Sequence, residues 1–139
     1  LYEGGIRVPA IAYWPGKIEQ KKVKALTHVT DWMPTICGLV GYDEKPDLKW
    51  DGLNIWPLIT NKIEFENKRI LYCKGVNGTY AALHQWPWKL IVGKGREELF
   101  DLSKDPNEKD DIAKKERKIV NSLKRLVNFE AAMDNDKLP

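Results

Sequence analysis

The sequence predicts an α/β protein, α+β within this chain: an antiparallel sheet of about four strands packed by a long C-terminal helix. Two observations carry that expectation. The runs "RILYCKG", "TYAALHQ", "WKLIVGK" and "EELFDL" follow one another between residues 69 and 102, each rich in branched and aromatic residues. Turn signals separate them: Asn77-Gly78, Trp86-Pro87, and Gly93 with Gly95. Beyond them, Ile112, Ile119, Val120, Leu123, Leu126 and Val127 recur at three, four and seven residues. That stripe belongs to an amphipathic helix covering one face of the sheet.

The remaining elements follow in order. "IRVPAIAYW" (6–14) reads as a largely buried strand, with Pro9 confining it to an edge or a bulge. Trp14-Pro15-Gly16 closes it, and residues 17–25 form a charged, exposed connection. "THVTDWMPTICGLVG" predicts a short buried helix. Thr30 or Asp31 is its N-cap, Pro34 lies in its first turn, and Met33, Ile36, Cys37 and Val40 face inward. Gly41 ends it. "YDEKPDLKWDGLN" is loop with an Asp51-Gly52 turn, and a helical turn spans Ile55 to Thr60. Asp105-Pro106 ends the strand region, and the acidic residues at 108–111 suit the N-terminus of the last helix.

Composition excludes several classes. The net charge of +3 arises from 23 basic and 20 acidic residues, interspersed rather than blocked, which is unlike a nucleic-acid-binding stripe. No apolar run approaches the roughly 18 residues of a membrane helix, and the opening residues are not expected to be a signal peptide, which says little about location. Cys37 and Cys73 lie in no C-x-x-C spacing; free thiols are expected, with one disulfide left open. His28 and His84 stand at no zinc-ligand spacing.

The residues alone yield no self-sufficient active site. Ser103 and Ser122 fall in a turn and on the terminal helix, remote from any triad. Gly93-Lys94-Gly95 is too short to cradle a phosphate. His28 is expected to order the start of its helix through Asp31, and His84 to stand at a surface or cleft edge. Asn77-Gly78-Thr79 fits an N-glycosylation sequon.

Five stretches in order resemble the formylglycine-dependent type I sulfatases, closest to arylsulfatase B-like members. They are "LYEGGIRVPAIAYWPGKI", "HVTDWMPTICGLVG", "DGLNIWPLI", "YAALHQWPWKLI" and "ELFDLSKDPNEKDDIA". The resemblance implies the C-terminal region of an alkaline-phosphatase-like sulfatase. On that basis residues 1–66 end the N-terminal α/β domain, and 67–139 form a C-terminal subdomain. The full enzyme would hydrolyse sulfate esters of sugars or aryl groups, using a formylglycine nucleophile and Ca²⁺. The Cys/Ser-x-Pro/Ala-x-Arg motif that gives formylglycine is absent here, as are the metal carboxylates and catalytic histidines. The resemblance sets a catalytic lysine just before Leu1, so no catalytic or metal-binding residue is expected within the chain.

What the resemblance does place is a supporting wall. Glu3, Gly4, Gly5 and Arg7 match the segment leaving the active-site floor, with the glycines allowing close backbone approach and Glu3 pairing with Arg7. His84 and Arg96 lie where the family varies around the cleft mouth, an expected influence on substrate choice. The partners implied are the sulfate ester and the missing N-terminal catalytic domain, with self-association of the isolated chain through uncovered apolar surface. Neither nucleic acid nor membrane is expected as a partner, and the location expected by analogy is extracytoplasmic. Two alternatives stand beside this reading: a non-catalytic accessory module with the same fold, and a related phosphatase or phosphonate hydrolase.

Overall fold

The computed structural model describes residues 1–42, 50–60, 69–75 and 80–133. The expected Asn77-Gly78 turn and the Asn77 sequon lie outside these residues. The chain forms two compact units, one of Leu1–Pro9 with Lys68–Pro139 and the other of Ala10–Asn67. The first nine residues therefore group with the sheet, where the sequence places them with residues 10–66.

In the first unit, α1 (Glu3–Ile6) precedes four strands: β1 (Ile70–Lys74), β2 (Tyr80–Gln85), β3 (Trp88–Gly93) and β4 (Arg96–Asp101). They form one antiparallel meander in the order β1-β2-β3-β4, as expected. Lys94 and Gly95 both adopt positive φ, 47° and 76°, which matches the tight turn whose twist suits a two-residue hairpin. Trp86-Pro87, a cis peptide, joins β2 to β3.

The pleat sends alternate residues to opposite faces. Leu83, Leu90 and Leu99 form one cross-strand row and are fully buried. Val120, Leu123 and Val127 of the terminal helix close over that row, with Ile112, Ile119 and Leu126 at its margin. Each such side chain contributes roughly 1.5–3 kcal/mol on burial. The other face carries Ala82, Ile91 and Phe100, joined by Leu102 and covered in part by Leu1. Tyr2 packs edge-on against Phe100, with ring centroids 6.1 Å apart.

The terminal helix, α4 (Arg117–Met133), starts later than the acidic residues predict. Carboxylates of this region serve backbone amides outside the helix instead, the competition that polar side chains commonly offer to a helix. Asp111 Oδ1 accepts from Leu99 N (3.0 Å) and Ala113 N (2.9 Å), and Asp105 Oδ2 accepts from Asp110 N (2.9 Å). Ile112 packs on the core from this loop rather than from the helix.

The second unit holds a 3₁₀ turn (Val29–Asp31), then α2 (Trp32–Leu39) and α3 (Trp56–Ile59). Its buried apolar set is Ile55, Leu58 and Ile59. The expected strand over 6–14 is not formed: Glu3–Ile6 is helical and the following residues find no partner strand among the described residues. Ile11 and Tyr13 are 90% and 85% exposed. Helix α2 exists but is not buried, since Met33, Ile36 and Val40 face outward and Thr35 is its buried residue. Gly41, at φ 69°, supplies the expected stop.

Candidate functional site: a buried charge cluster and a polar staple

The sheet unit buries a lysine. Lys89 lies on the face opposite α4, between His84 and Phe100 in the cross-strand row, and has 0% exposure. A lone ammonium there would cost several kcal/mol, roughly, so it needs charged partners. Glu3 Oε1 lies 2.8 Å from Lys89 Nζ, and Glu108 Oε1 lies 2.7 Å away. The Glu3 contact is an aligned hydrogen bond, whereas Glu108 Oε1 meets the ammonium as an ion pair without hydrogen-bond alignment. Glu108 Oε2 accepts from the Glu3 backbone N–H at 2.5 Å, satisfying a donor that the first turn of α1 leaves free. Glu108 holds this position at φ 55°, a conformation that costs a non-glycine residue roughly 1–2 kcal/mol.

His84 adjoins the cluster, and its Nε2 is buried without a hydrogen-bond partner. Burial holds the imidazole below its ordinary range, opposed by the charges of Glu3 and Glu108 and reinforced by Lys89 and Arg7. Cys73 on β1 is free, and burial raises its thiol, which disfavours the nucleophilic thiolate. Tyr2 Oη donates to Glu98 Oε2 at 2.6 Å, a bond that raises the phenol above its usual value. Arg96, on β4, is exposed and pairs with that same Glu98.

The structure thus brings Glu3 and His84 to one place and sets Arg96 apart, linked to Tyr2 through Glu98. Glu3 pairs with Lys89 rather than with Arg7, because the buried ammonium has the stronger need of a counter-charge. Gly4 and Gly5 are exposed, and a Cβ at either would meet open space, so close backbone approach is not what these glycines provide among the described residues. Lys89 and Glu108 escape the sequence reading. The available signal is that Lys89 alternates with Ile91 on a face also bearing Ala82 and Phe100, too apolar to be solvent-facing.

The second unit has its own polar centre. Asp31 is fully buried; its Oδ2 accepts from His28 N (2.6 Å) and its Oδ1 from Leu53 N (3.0 Å). Thr35 Oγ1 donates to the Asp31 carbonyl (2.6 Å) and accepts from Ile55 N (2.9 Å). Two separate sequence stretches, "HVTDWMPT" and "DGLNI", are therefore stapled by two side chains. Gly52 fits this contact closely, since a Cβ there would fall 2.1 Å from the Thr30 carbonyl oxygen. His28 orders the start of the helix through Asp31, as expected, within a capping box that places the N-cap at His28.

Both carboxylates near Lys89 are engaged with it, and Asp31 is saturated by backbone amides. Among the described residues, no group of three or more His, Cys, Asp or Glu side chains could hold a metal ion. No helix among them is long and apolar enough to cross a membrane.

Known proteins similar to this chain include sulfatases. The sulfatase family profile matches residues 1–42. An N-acetylgalactosamine-6-O-sulfatase of Bacteroides thetaiotaomicron is 27% identical over 141 aligned positions, covering 91% of this chain and 27% of that protein. Arylsulfatase G of Mus musculus is 34% identical over 84 positions, covering 59% of this chain and 16% of its own length. The crystal structure of Ps i-CgsB superposes with a TM-score of 0.77 at 22% identity, over 90% of this chain and 28% of that one. A 2-O GAG sulfatase superposes at 0.58 and 21% identity, over 76% and 25%. The fold is thus one found in sulfatases, and the chain spans about a quarter or less of the length of these curated relatives. In sequence and in fold, it is similar to sulfatases.

Proposed function

We propose that this chain is the C-terminal part of a sulfatase that hydrolyses sulfate esters of sugars or aryl groups, and that it shapes and supports the cleft rather than carrying the chemistry. The carrying observation is similarity to sulfatases along most of the chain, with no metal-holding group of His, Cys, Asp or Glu side chains among the described residues. The sulfated amino sugar named for the Bacteroides relative and the aryl sulfates named for the mouse one define the substrate range to test. A location outside the cytoplasm follows by analogy.

Formylglycine and Ca²⁺, implied for the whole enzyme, do not fit the residues present. Neither Cys37, Cys73, Ser103 nor Ser122 opens a Cys/Ser-x-Pro/Ala-x-Arg motif, and no carboxylate group has metal-binding geometry among the described residues. Both belong, in this reading, to the catalytic domain. What these residues contribute is placement: Glu3 fixed on Lys89, Tyr2 fixed on Glu98, and the "HVTDWMPT" and "DGLNI" stretches fixed on each other. His84 and Arg96 remain proposed influences on substrate choice. The exposed Ile11, Tyr13, Met33, Ile36 and Val40 form the surface proposed to meet the catalytic domain. The isolated chain is accordingly expected to self-associate, and light scattering showing a monomer at high concentration would count against this.

The test uses the longer protein, assayed for sulfate release from an aryl sulfate and from 6-O-sulfated N-acetylgalactosamine, with the matching phosphate esters as controls. Sulfate release without phosphate release supports the reading. Preference for the phosphate esters would transfer it to a phosphatase, and no hydrolysis of any ester would favour an accessory module.

A further inference from the structure

Lys89 is a costly residue to keep at the centre of a sheet. Apolar replacements of buried ion pairs are often neutral or stabilising, so stability alone does not account for it. The cluster instead specifies a position. Glu3 is tied at two points, by its carboxylate to Lys89 and by its amide to Glu108, and Glu108 takes up a left-handed backbone to make both contacts. The tie holds α1, whose backbone bonds run from Gly5 N and Ile6 N to the Tyr2 carbonyl and from Arg7 N to the Glu3 carbonyl. Glu3 lies within residues 1–42, which the sulfatase family profile matches, whereas Lys89 and Glu108 lie in the later stretches "YAALHQWPWKLI" and "ELFDLSKDPNEKDDIA". The ion cluster therefore joins a segment bearing the family's signature to a face of the sheet.

We infer that Lys89 is a positioning residue for the sulfatase reaction, clamping the Tyr2–Arg7 turn through Glu3 with Glu108 as the second jaw. This rests on the proposed sulfatase activity for its catalytic consequence, but the clamp itself does not. Lys89 touches neither substrate nor a reacting atom in this account. It acts by denying the turn any other placement, and misplacement of about 1 Å near reacting groups can cost roughly 100-fold in rate.

The experiment compares wild type, Lys89→Met, Glu3→Gln and the double variant in the longer protein, by steady-state kinetics and by amide hydrogen exchange. The expected result is a kcat lowered about 10- to 100-fold with KM within about twofold; the thermal midpoint of Glu3→Gln stays near wild type, while that of Lys89→Met falls because the Glu3 and Glu108 carboxylates lose their counter-charge. Exchange at Gly5, Ile6 and Arg7 accelerates, while that of β3 and β4 does not. The double variant is no worse than Lys89→Met alone, since both act through one contact. If Lys89→Met fails to fold, Glu3→Gln decides, because it leaves the ammonium paired with Glu108. Unchanged kcat or unchanged exchange in the folded variants overturns the inference. A wild-type protein that hydrolyses no sulfate ester overturns the sulfatase reading and the catalytic consequence together, while the exchange measurement still decides the clamp.

Discussion

In the sheet unit, a row of three leucines is closed by a helix stripe, and the opposite face is sealed by Leu1, Tyr2 and a buried ion cluster. In the Ala10–Asn67 unit, the buried apolar set is Ile55, Leu58 and Ile59, while larger apolar side chains of α2 face outward. There the backbone is held by Asp31 and Thr35, whose hydrogen bonds reach across 22 and 20 residues of sequence to Leu53 and Ile55. One unit is specified by apolar burial on both faces of a sheet. The other has its local shape fixed by polar staples and leaves larger apolar side chains exposed. Substitutions should respond accordingly.

The sharpest contrast is between two truncations. Leu90→Ala should lower stability by about 2–5 kcal/mol, whereas Met33→Ala, at a position 63% exposed, should change it by less than about 0.5 kcal/mol. Urea unfolding of the two variants measures this, and equal costs would break the distinction. Next, Asp31→Ala leaves the His28 and Leu53 amides without their acceptor, a loss of about 2–4 kcal/mol confined to the Ala10–Asn67 unit. Hydrogen exchange should accelerate at those amides and stay unchanged in β2 and β3. Gly52→Ala forces a Cβ onto the Thr30 carbonyl and should cost about 1–3 kcal/mol in the same unit.

Smaller effects belong to charges on the sheet unit. Glu97 accepts from Arg117 (2.6 Å) and Lys124 (2.5 Å), bonds that hold its carboxyl below the usual range. These pairs are partly exposed, so Glu97→Gln should cost less than about 1 kcal/mol and less still in high salt. Denaturant titration at two ionic strengths checks it. His84 gives a sign rather than a size. Its folded value lies below the unfolded one, so its contribution is complete above the ordinary imidazole range and is lost as pH falls through the folded value. Replacing His84 with Gln should flatten that part of the stability profile between neutral and mildly acid pH.

The strand order and the α4 stripe were legible in the sequence because period-two and helical apolar patterns there agree with the burial that forms. Three features were not. The strand over 6–14 failed because an apolar alternating run needs a partner strand, and none is described for it. The start of α4 was misplaced because acidic residues at 108–111 carry helix-start chemistry yet spend it elsewhere: Glu108 on the Glu3 amide, and Asp111 on the amides of Leu99 and Ala113. Lys89 was hidden because a lysine in a strand reads as solvent-facing until the register shows Phe100 and His84 beside it. The resemblance pointed to Glu3 and His84, but only the fold shows that the ammonium of Lys89 binds Glu3 and lies beside His84 in the register. The same limit applies to Gly4 and Gly5, whose neighbours along the chain say nothing of what approaches them in space.

The central claim is that this chain is a sulfatase segment whose own residues complete no catalytic centre. Its most direct test is sulfate release from an aryl sulfate by the purified 139-residue chain with Ca²⁺ added, beside the longer protein at equal concentration. Steady turnover by the longer protein and none above background by the 139-residue chain is the predicted result. Multiple turnovers by the chain alone would contradict the account.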